Sequence, residues 1–124
     1  MDAQTVNNSI LLTIKKMLGG LDEENDHFNT DLIVIINSTF MVLAQLGVGP
    51  DVPYKITGPE NTWDEFECFD LESVKEYMYL KVKSTFDPAQ SGSAASAFEA
   101  RAAELEWRLQ IFSEELKDAE QVSQ

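Results

Sequence analysis

The chain has 124 residues, 44% of them apolar and 10% aromatic, with 9 basic against 22 acidic residues and a formal net charge of −13. That length holds one domain of ordinary size, and that apolar share suits a packed core, which excludes disorder throughout. The charge excludes a duplex-gripping role, because phosphate binding draws on Lys and Arg neutralisation and on counterion release.

A first helix is expected over about residues 8–18, where Ile10, Leu11, Ile14 and Leu18 recur at helical spacing and Gly19-Gly20 supplies the stop. A polar loop occupies residues 22–29. The second helix runs from Asn29 or Thr30 to Leu46 and ends at Gly47. Leu32-Ile33-Val34-Ile35-Ile36 alone would also suit a buried strand. The apolar pattern continues through Phe40, Leu43 and Leu46 without a breaker, however, and that length decides for helix. Apolar residues on nearly every side place this helix centrally.

Residues 48–69 hold Pro50, Pro53 and Pro59 with Gly49 and Gly58. Within them, Tyr54-Lys55-Ile56-Thr57 and Thr62-Trp63-Asp64-Glu65-Phe66 flank a Gly-Pro turn, so the segment is either a long loop or a small β-hairpin. Ordered loops of this length usually serve a contact, and Tyr54, Trp63 and Phe66 are its candidate contact residues. Asp70 is a suitable cap for a third helix over residues 71–86, which Asp87-Pro88 closes. Leu71, Val74, Met78, Val82 and Thr85 form its stripe, with Tyr77 and Leu80 off it. A small-residue linker, residues 89–93, leads on.

The last helix, over about residues 94–117, carries Phe98, Ala102, Leu105, Leu109, Phe112 and Leu116 at heptad spacing, a seam of about three heptads. At 3.6 residues per turn, Trp107 falls about 180° from Phe98 and Ile111 about 220°, with Ala100 and Ala103 alongside. This helix therefore has apolar groups on two opposite faces, and a monomer needs only one. Either the long loop folds back over Trp107, or Ala100, Ala103, Trp107 and Ile111 form a subunit or partner contact. The expected architecture is mainly α: a four-helix bundle-like single domain over residues 1–118, with a flexible tail over 119–124.

The acids fall in runs. Residues 22–31 carry five acids and no base, residues 51–72 seven acids against Lys55 alone, and residues 93–120 seven against three bases. The loops and the last helix thus hold the charge, as solvated surface. Asp22, Glu24 and Asp26 alternate like the first ligands of a calcium loop, but His27 stands where that loop needs glycine and Ile33 where it needs glutamate. His27 is the only histidine, so no His-containing metal cluster forms within one chain. Glu99 and Glu106 share one side of the last helix, a pairing expected by chance in so acidic a chain. Neither Gly19-Gly20 nor Gly47-Val48-Gly49-Pro50 has the Lys-Ser/Thr that follows a phosphate loop.

Cys68, the single cysteine, excludes an internal disulfide and has no adjacent base to activate it. Lys75 and Lys81 lie about 120° apart on the third helix beside Tyr77 and Tyr79, too spread for one nucleic-acid stripe. The start, Met1-Asp2-Ala3-Gln4-Thr5, lacks the basic region of a secretory leader. The apolar run of residues 32–46 includes Asn37, Ser38, Thr39 and Gln45 and is too short to span a bilayer. No enzyme, cofactor, metal or membrane role is expected.

Asp31-Leu32-Ile33, Ile36-Asn37-Ser38-Thr39-Phe40 and Leu43-Ala44-Gln45-Leu46-Gly47-Val48-Gly49-Pro50 together resemble the second helix and exit of small head-tail connector (adaptor) proteins of siphophages infecting Gram-positive hosts. So does Glu72-Ser73-Val74-Lys75-Glu76-Tyr77-Met78-Tyr79-Leu80-Lys81-Val82-Lys83 leading to Phe86-Asp87-Pro88, while Glu104-Leu105-Glu106-Trp107-Arg108-Leu109 is similar to their closing helix. The likeness spans roughly residues 9–112, and the order and spacing of its strings are more specific than any one string.

The resemblance implies an all-α adaptor of the virion neck, made in the bacterial host cytoplasm. Its copies would form a dodecameric ring below the portal protein and receive the stopper or tail-terminator protein on the far side. DNA would pass through the lumen without sequence-specific binding. Portal docking by the last helix or its tail, implied by the same resemblance, would fall to Trp107, Ile111 and the segment beyond Phe112. The alternative is a small acidic phage regulatory or DNA-mimic protein binding a host protein. Mimicry needs carboxylates arrayed over one surface, and here they are spread over loops and one helix.

Overall fold

The computed structural model describes residues 8–19, 26–86 and 92–122. Four α-helices follow one another among them: α1 (Ile10–Leu18), α2 (Asn29–Gln45), α3 (Leu71–Phe86) and α4 (Gly92–Val122), with a 3-10 turn at Trp63–Glu65. The architecture is mainly α with a long terminal helix, as the periodicity indicates. The loop of residues 22–29 is described only from Asp26, and the linker of residues 89–93 only from Gly92, which begins α4.

Residues 48–69 form an ordered loop, not a hairpin. The only β-contact among the described residues is an isolated antiparallel bridge between Ser9 and Thr62. Side chains have taken the backbone groups that a hairpin would pair. The Asn37 carboxamide accepts from the Ile56 N–H at 2.7 Å and donates to the Ile56 carbonyl at 3.0 Å. Asn61 Oδ1 accepts from the N–H groups of Thr57 at 2.7 Å and Gly58 at 3.3 Å.

The loop is equally tied to α1. Ser9 caps that helix by accepting from the Leu12 N–H, and its hydroxyl donates to the Pro59 carbonyl at 2.7 Å. The Ile10 N–H donates to the Asn61 carbonyl at 3.1 Å. Two orphan donors of the helix N-terminus are thereby satisfied, one by its cap and one by the loop. The loop then delivers Val48, Ile56, Trp63 and Phe66 into the same core as Ile10, Leu11, Ile14, Leu32, Ile36 and Phe40. Two glycines permit its path. Gly47 (φ +85°) and Gly49 (φ +92°) adopt left-handed conformations, and a Cβ would strike Ser113 Oγ at the first and the Phe66 ring at the second.

The central element is α3, not α2. It packs against α1, α2 and α4. Its Tyr77 and Leu80, off the expected stripe, are buried with Val74, Met78 and Val82 because partners flank the helix on several sides, while Thr85 of that stripe is exposed. Asp70 caps α3 as expected, accepting from the Ser73 N–H at 3.1 Å and from its hydroxyl at 2.7 Å. The other side of α2 faces solvent, where Val34 is 63% exposed.

Ala102, Leu105 and Leu109 of α4 are buried against this core. Two polar contacts stitch α4 to α3. Arg101 grips Glu76 through Nε at 2.7 Å and Nη2 at 3.0 Å, and the Tyr77 hydroxyl donates to Glu106 at 3.0 Å. Arg101 and Glu106 lie about 140° apart around α4, so the two contacts flank the apolar seam. The guanidinium holds the Glu76 carboxyl below the usual carboxylate range. Burial, then the hydrogen bond to Glu106, holds the Tyr77 phenol well above its ordinary value of 10.0. Burial likewise pushes Tyr54, bonded to Glu65, up to about 12.

Two outcomes are expected. Asn37→Ala leaves the Ile56 amide and carbonyl without partners and should lower unfolding free energy in urea by about 1–3 kcal/mol. An unchanged midpoint would mean that the loop is held without Asn37. Folded Tyr54 and Tyr77 also keep their protons at pH values where the unfolded chain loses them. Their contribution is therefore complete below pH 10.0, the ordinary tyrosine value, and is lost as pH rises through the folded values, for Tyr54 about 12. Melting temperature should fall progressively above pH 10, and Tyr77→Phe should flatten that fall even though the variant starts lower.

Candidate interaction surface

Tyr54, Trp63 and Phe66 are brought together around Phe40. Ring centroids lie 5.2 Å apart for Phe40 and Tyr54, 4.9 Å for Phe40 and Phe66, and 6.4 Å for Phe40 and Trp63. Trp63 is 1% and Phe66 3% exposed, so these two rings make their contact with the protomer's own core. Lys75 Nζ stands 5.7 Å from the centroid of the Trp63 ring. Tyr54 stays at the rim, its hydroxyl donating to Glu65 Oε1, which also accepts from the Thr62 N–H at 2.8 Å. Those two bonds, the backbone one first, hold the Glu65 carboxyl below its usual range.

With its aromatic groups spent on Phe40, the loop does not cover α4. Trp107 is 63% exposed, directly opposite the seam that α4 uses against α3. Ala100 and Ala103 are exposed beside it and Ile111 is partly so. On one flank, Glu104 accepts from Arg101 at 3.0 Å and from Arg108 at 2.6 Å, a surface ladder that fixes side chains more than it stabilises the fold. On the other flank is a groove of about 290 Å³ lined by Ser84, Thr85 and Lys81 of α3 and by Glu99, Ala103 and Glu106 of α4.

The seam itself departs from expectation beyond Leu109. Phe112 is 51% and Leu116 45% exposed, and Ser113 is the buried residue instead, its hydroxyl donating to the Gly47 carbonyl at 2.9 Å. The reason is length. α4 has 31 residues against 16 for α3, about 46 Å against about 24 Å, and its last turns outrun the helix they would pack on. Phe112 retains one aromatic neighbour, Phe69, at 5.9 Å.

One surface escaped the sequence reading. Val34 and Met41, 63% and 43% exposed, share the outer side of α2 with exposed Ser38 and Gln45. The spacing i, i+4, i+7, i+11 marks a single stripe, and it was legible once another helix was known to be central. Beside this stripe, α2 and α3 enclose an open groove of about 300 Å³ lined by Val34, Ile35, Ser38, Thr39, Val42, Lys81 and Thr85.

The Cys68 thiol is pushed up by burial, which opposes nucleophilic use. Among the described residues no three His, Cys, Asp or Glu side chains are placed to hold a metal ion, and no described helix is long and apolar enough to cross a membrane. The arrangement offers apolar surface on a rigid helical frame, which suits binding to other proteins.

Neither the curated proteins nor the solved structures give a match to this chain. The family model for phage connector protein matches residues 10–116, from the first residue of α1 to beyond Phe112 on α4. A helical frame with an uncovered apolar face on its longest helix and a match over nearly every described element lead to one assignment: this chain belongs to the phage connector protein family, a family of structural components of the phage particle.

Proposed function

We propose that the protein is the head-tail adaptor of a tailed phage: a subunit of a homo-oligomeric ring between the portal protein and the stopper or tail-terminator protein, with DNA passing through the lumen. The observation that carries this reading is the two-faced α4, whose Ala102, Leu105 and Leu109 are buried in the core while Trp107, 63% exposed, projects from the opposite side. A large exposed aromatic on a rigid helix is the kind of anchor that dominates protein interfaces. Membership of the connector family supports the location in the neck. The net charge of −13 fits a lumen that DNA slides through without being gripped. On this reading the protein is made in the host cytoplasm and does no chemistry.

Native mass spectrometry and electron microscopy of the protein with its cognate portal test the assignment. A stoichiometric ring on the portal is expected. Absence of a complex, together with tailed particles from a phage deleted for the gene, would overturn it. The Trp107 face is tested separately by Trp107→Ala. The exposed indole contributes little to the protomer core, so the melting temperature of the monomer should hold while ring or portal binding weakens by about 2 kcal/mol or more. A sharp fall in melting temperature would instead assign Trp107 to the fold.

A further inference from the structure

We propose that copies of this chain join head to tail, with Trp107 of one copy seated in the groove between α2 and α3 of the next. Resting on the ring assembly proposed above, this pairing names which two surfaces meet. A closed ring of more than two copies requires a heterologous contact, in which two different patches of each protomer are mutually complementary. The protomer carries two such patches, one on α4 and one between α2 and α3. One is convex, formed by Trp107 and Ile111 on the side of α4 turned away from α3, with Ala103 at its edge beside the groove between α3 and α4. The other is concave, about 300 Å³ between Val34, Ser38 and Val42 of α2 and Lys81 and Thr85 of α3, room enough for an indole ring.

Charge selects this pairing over the alternatives. In a chain with 22 acids and 9 bases, most surfaces of two copies repel one another. Lys81 is the charged residue of the groove; it also borders the groove that Glu99 and Glu106 line, but among the described residues it makes no ion pair. Glu114 lies one turn beyond Ile111 on the Trp107 side of α4, exposed and also without an ion-pair partner among the described residues. Seating the convex patch in the groove brings a carboxylate that makes no ion pair toward an ammonium that makes none. Packing Trp107 of one copy against Trp107 of another would instead leave Lys81 outside the contact. It would also close at a dimer.

Complementation between two half-defective variants tests the contact. Val34→Glu destroys the groove and keeps the convex patch; Trp107→Glu does the reverse. Both positions are 63% exposed, so each variant should melt as the wild-type protein does. Native mass spectrometry at high protein concentration and on the cognate portal should show rings for the wild type and neither higher oligomers nor rings for either variant alone. Equal amounts of the two variants should give a heterodimer and nothing larger, since one competent contact remains and its product has no free patches of the right kind. Lys81→Glu and Glu114→Lys provide a second measure, independent of the apolar changes. Each should weaken self-association by about tenfold or more, and the double variant should recover it.

A mixture that stays monomeric, or a Val34→Glu protein that assembles like the wild type, overturns the pairing while leaving the ring intact. A Trp107→Glu protein that loses the portal but still self-associates overturns it too, and assigns that face to the portal. A wild-type chain that never oligomerises, alone or on the portal, overturns both the pairing and the ring.

Discussion

The two hydrogen bonds between the Asn37 carboxamide and the backbone of Ile56 fix the loop of residues 48–69 against α2, and the rest of the packing depends on where that loop goes. A buried amide and carbonyl without partners would each be costly, so a side chain that satisfies both in one gesture locks the local register of the segment. Ser9 repeats the device at α1, serving as helix cap and as donor to Pro59 with one hydroxyl. Between these two fastenings the loop has little freedom. Its Trp63 and Phe66 turn inward onto Phe40, and its polar edge turns outward.

That commitment determines what α4 can be. With α1, α2 and the loop closed into one core, the last helix has α3 as its principal support. Only one side of it can be buried. Arg101 with Glu76 and Tyr77 with Glu106 border that side and fix the rotation of the helix, so Trp107 points away from the core by geometry. The length of α4 adds a second consequence. Beyond Leu109 the seam has run past its partner, and Ser113 bonded to the Gly47 carbonyl replaces hydrophobic packing with a single polar tether. Phe112 and Leu116 are left on an extension with little beneath them.

Much of this was legible in the residues. Period-3.6 spacing, the Asp70 cap and the glycine after α2 located the helices, because each signal acts over a few residues and needs no knowledge of the tertiary structure. The two-faced character of α4 was likewise plain from arithmetic around the helix. Three things were not legible, and each depends on contacts distant in sequence. The loop became an ordered coil because Asn37 and Asn61 captured the amides a hairpin would have paired. Centrality passed from α2 to α3 because α3 touches every other helix, which the apolar count of α2 alone could not reveal. The outer stripe of Val34 and Met41 was hidden for the same reason, since a helix apolar on all sides reads as buried.

The distribution of charge gives these exposed apolar groups their physical sense. An acidic chain of this size resists association, which keeps protomers apart wherever their surfaces meet at random. Val34, Ser38, Met41 and Gln45 form an uncharged strip on α2, and Ala100, Ala103, Trp107 and Ile111 form another on α4. Repulsion is weakest and desolvation most favourable where two such strips come into register, so the same acidity that disfavours random contact sharpens the preference for one geometry. On the proposed assembly, specificity arises less from the strength of the Trp107 contact than from the cost of every other way of bringing two copies together.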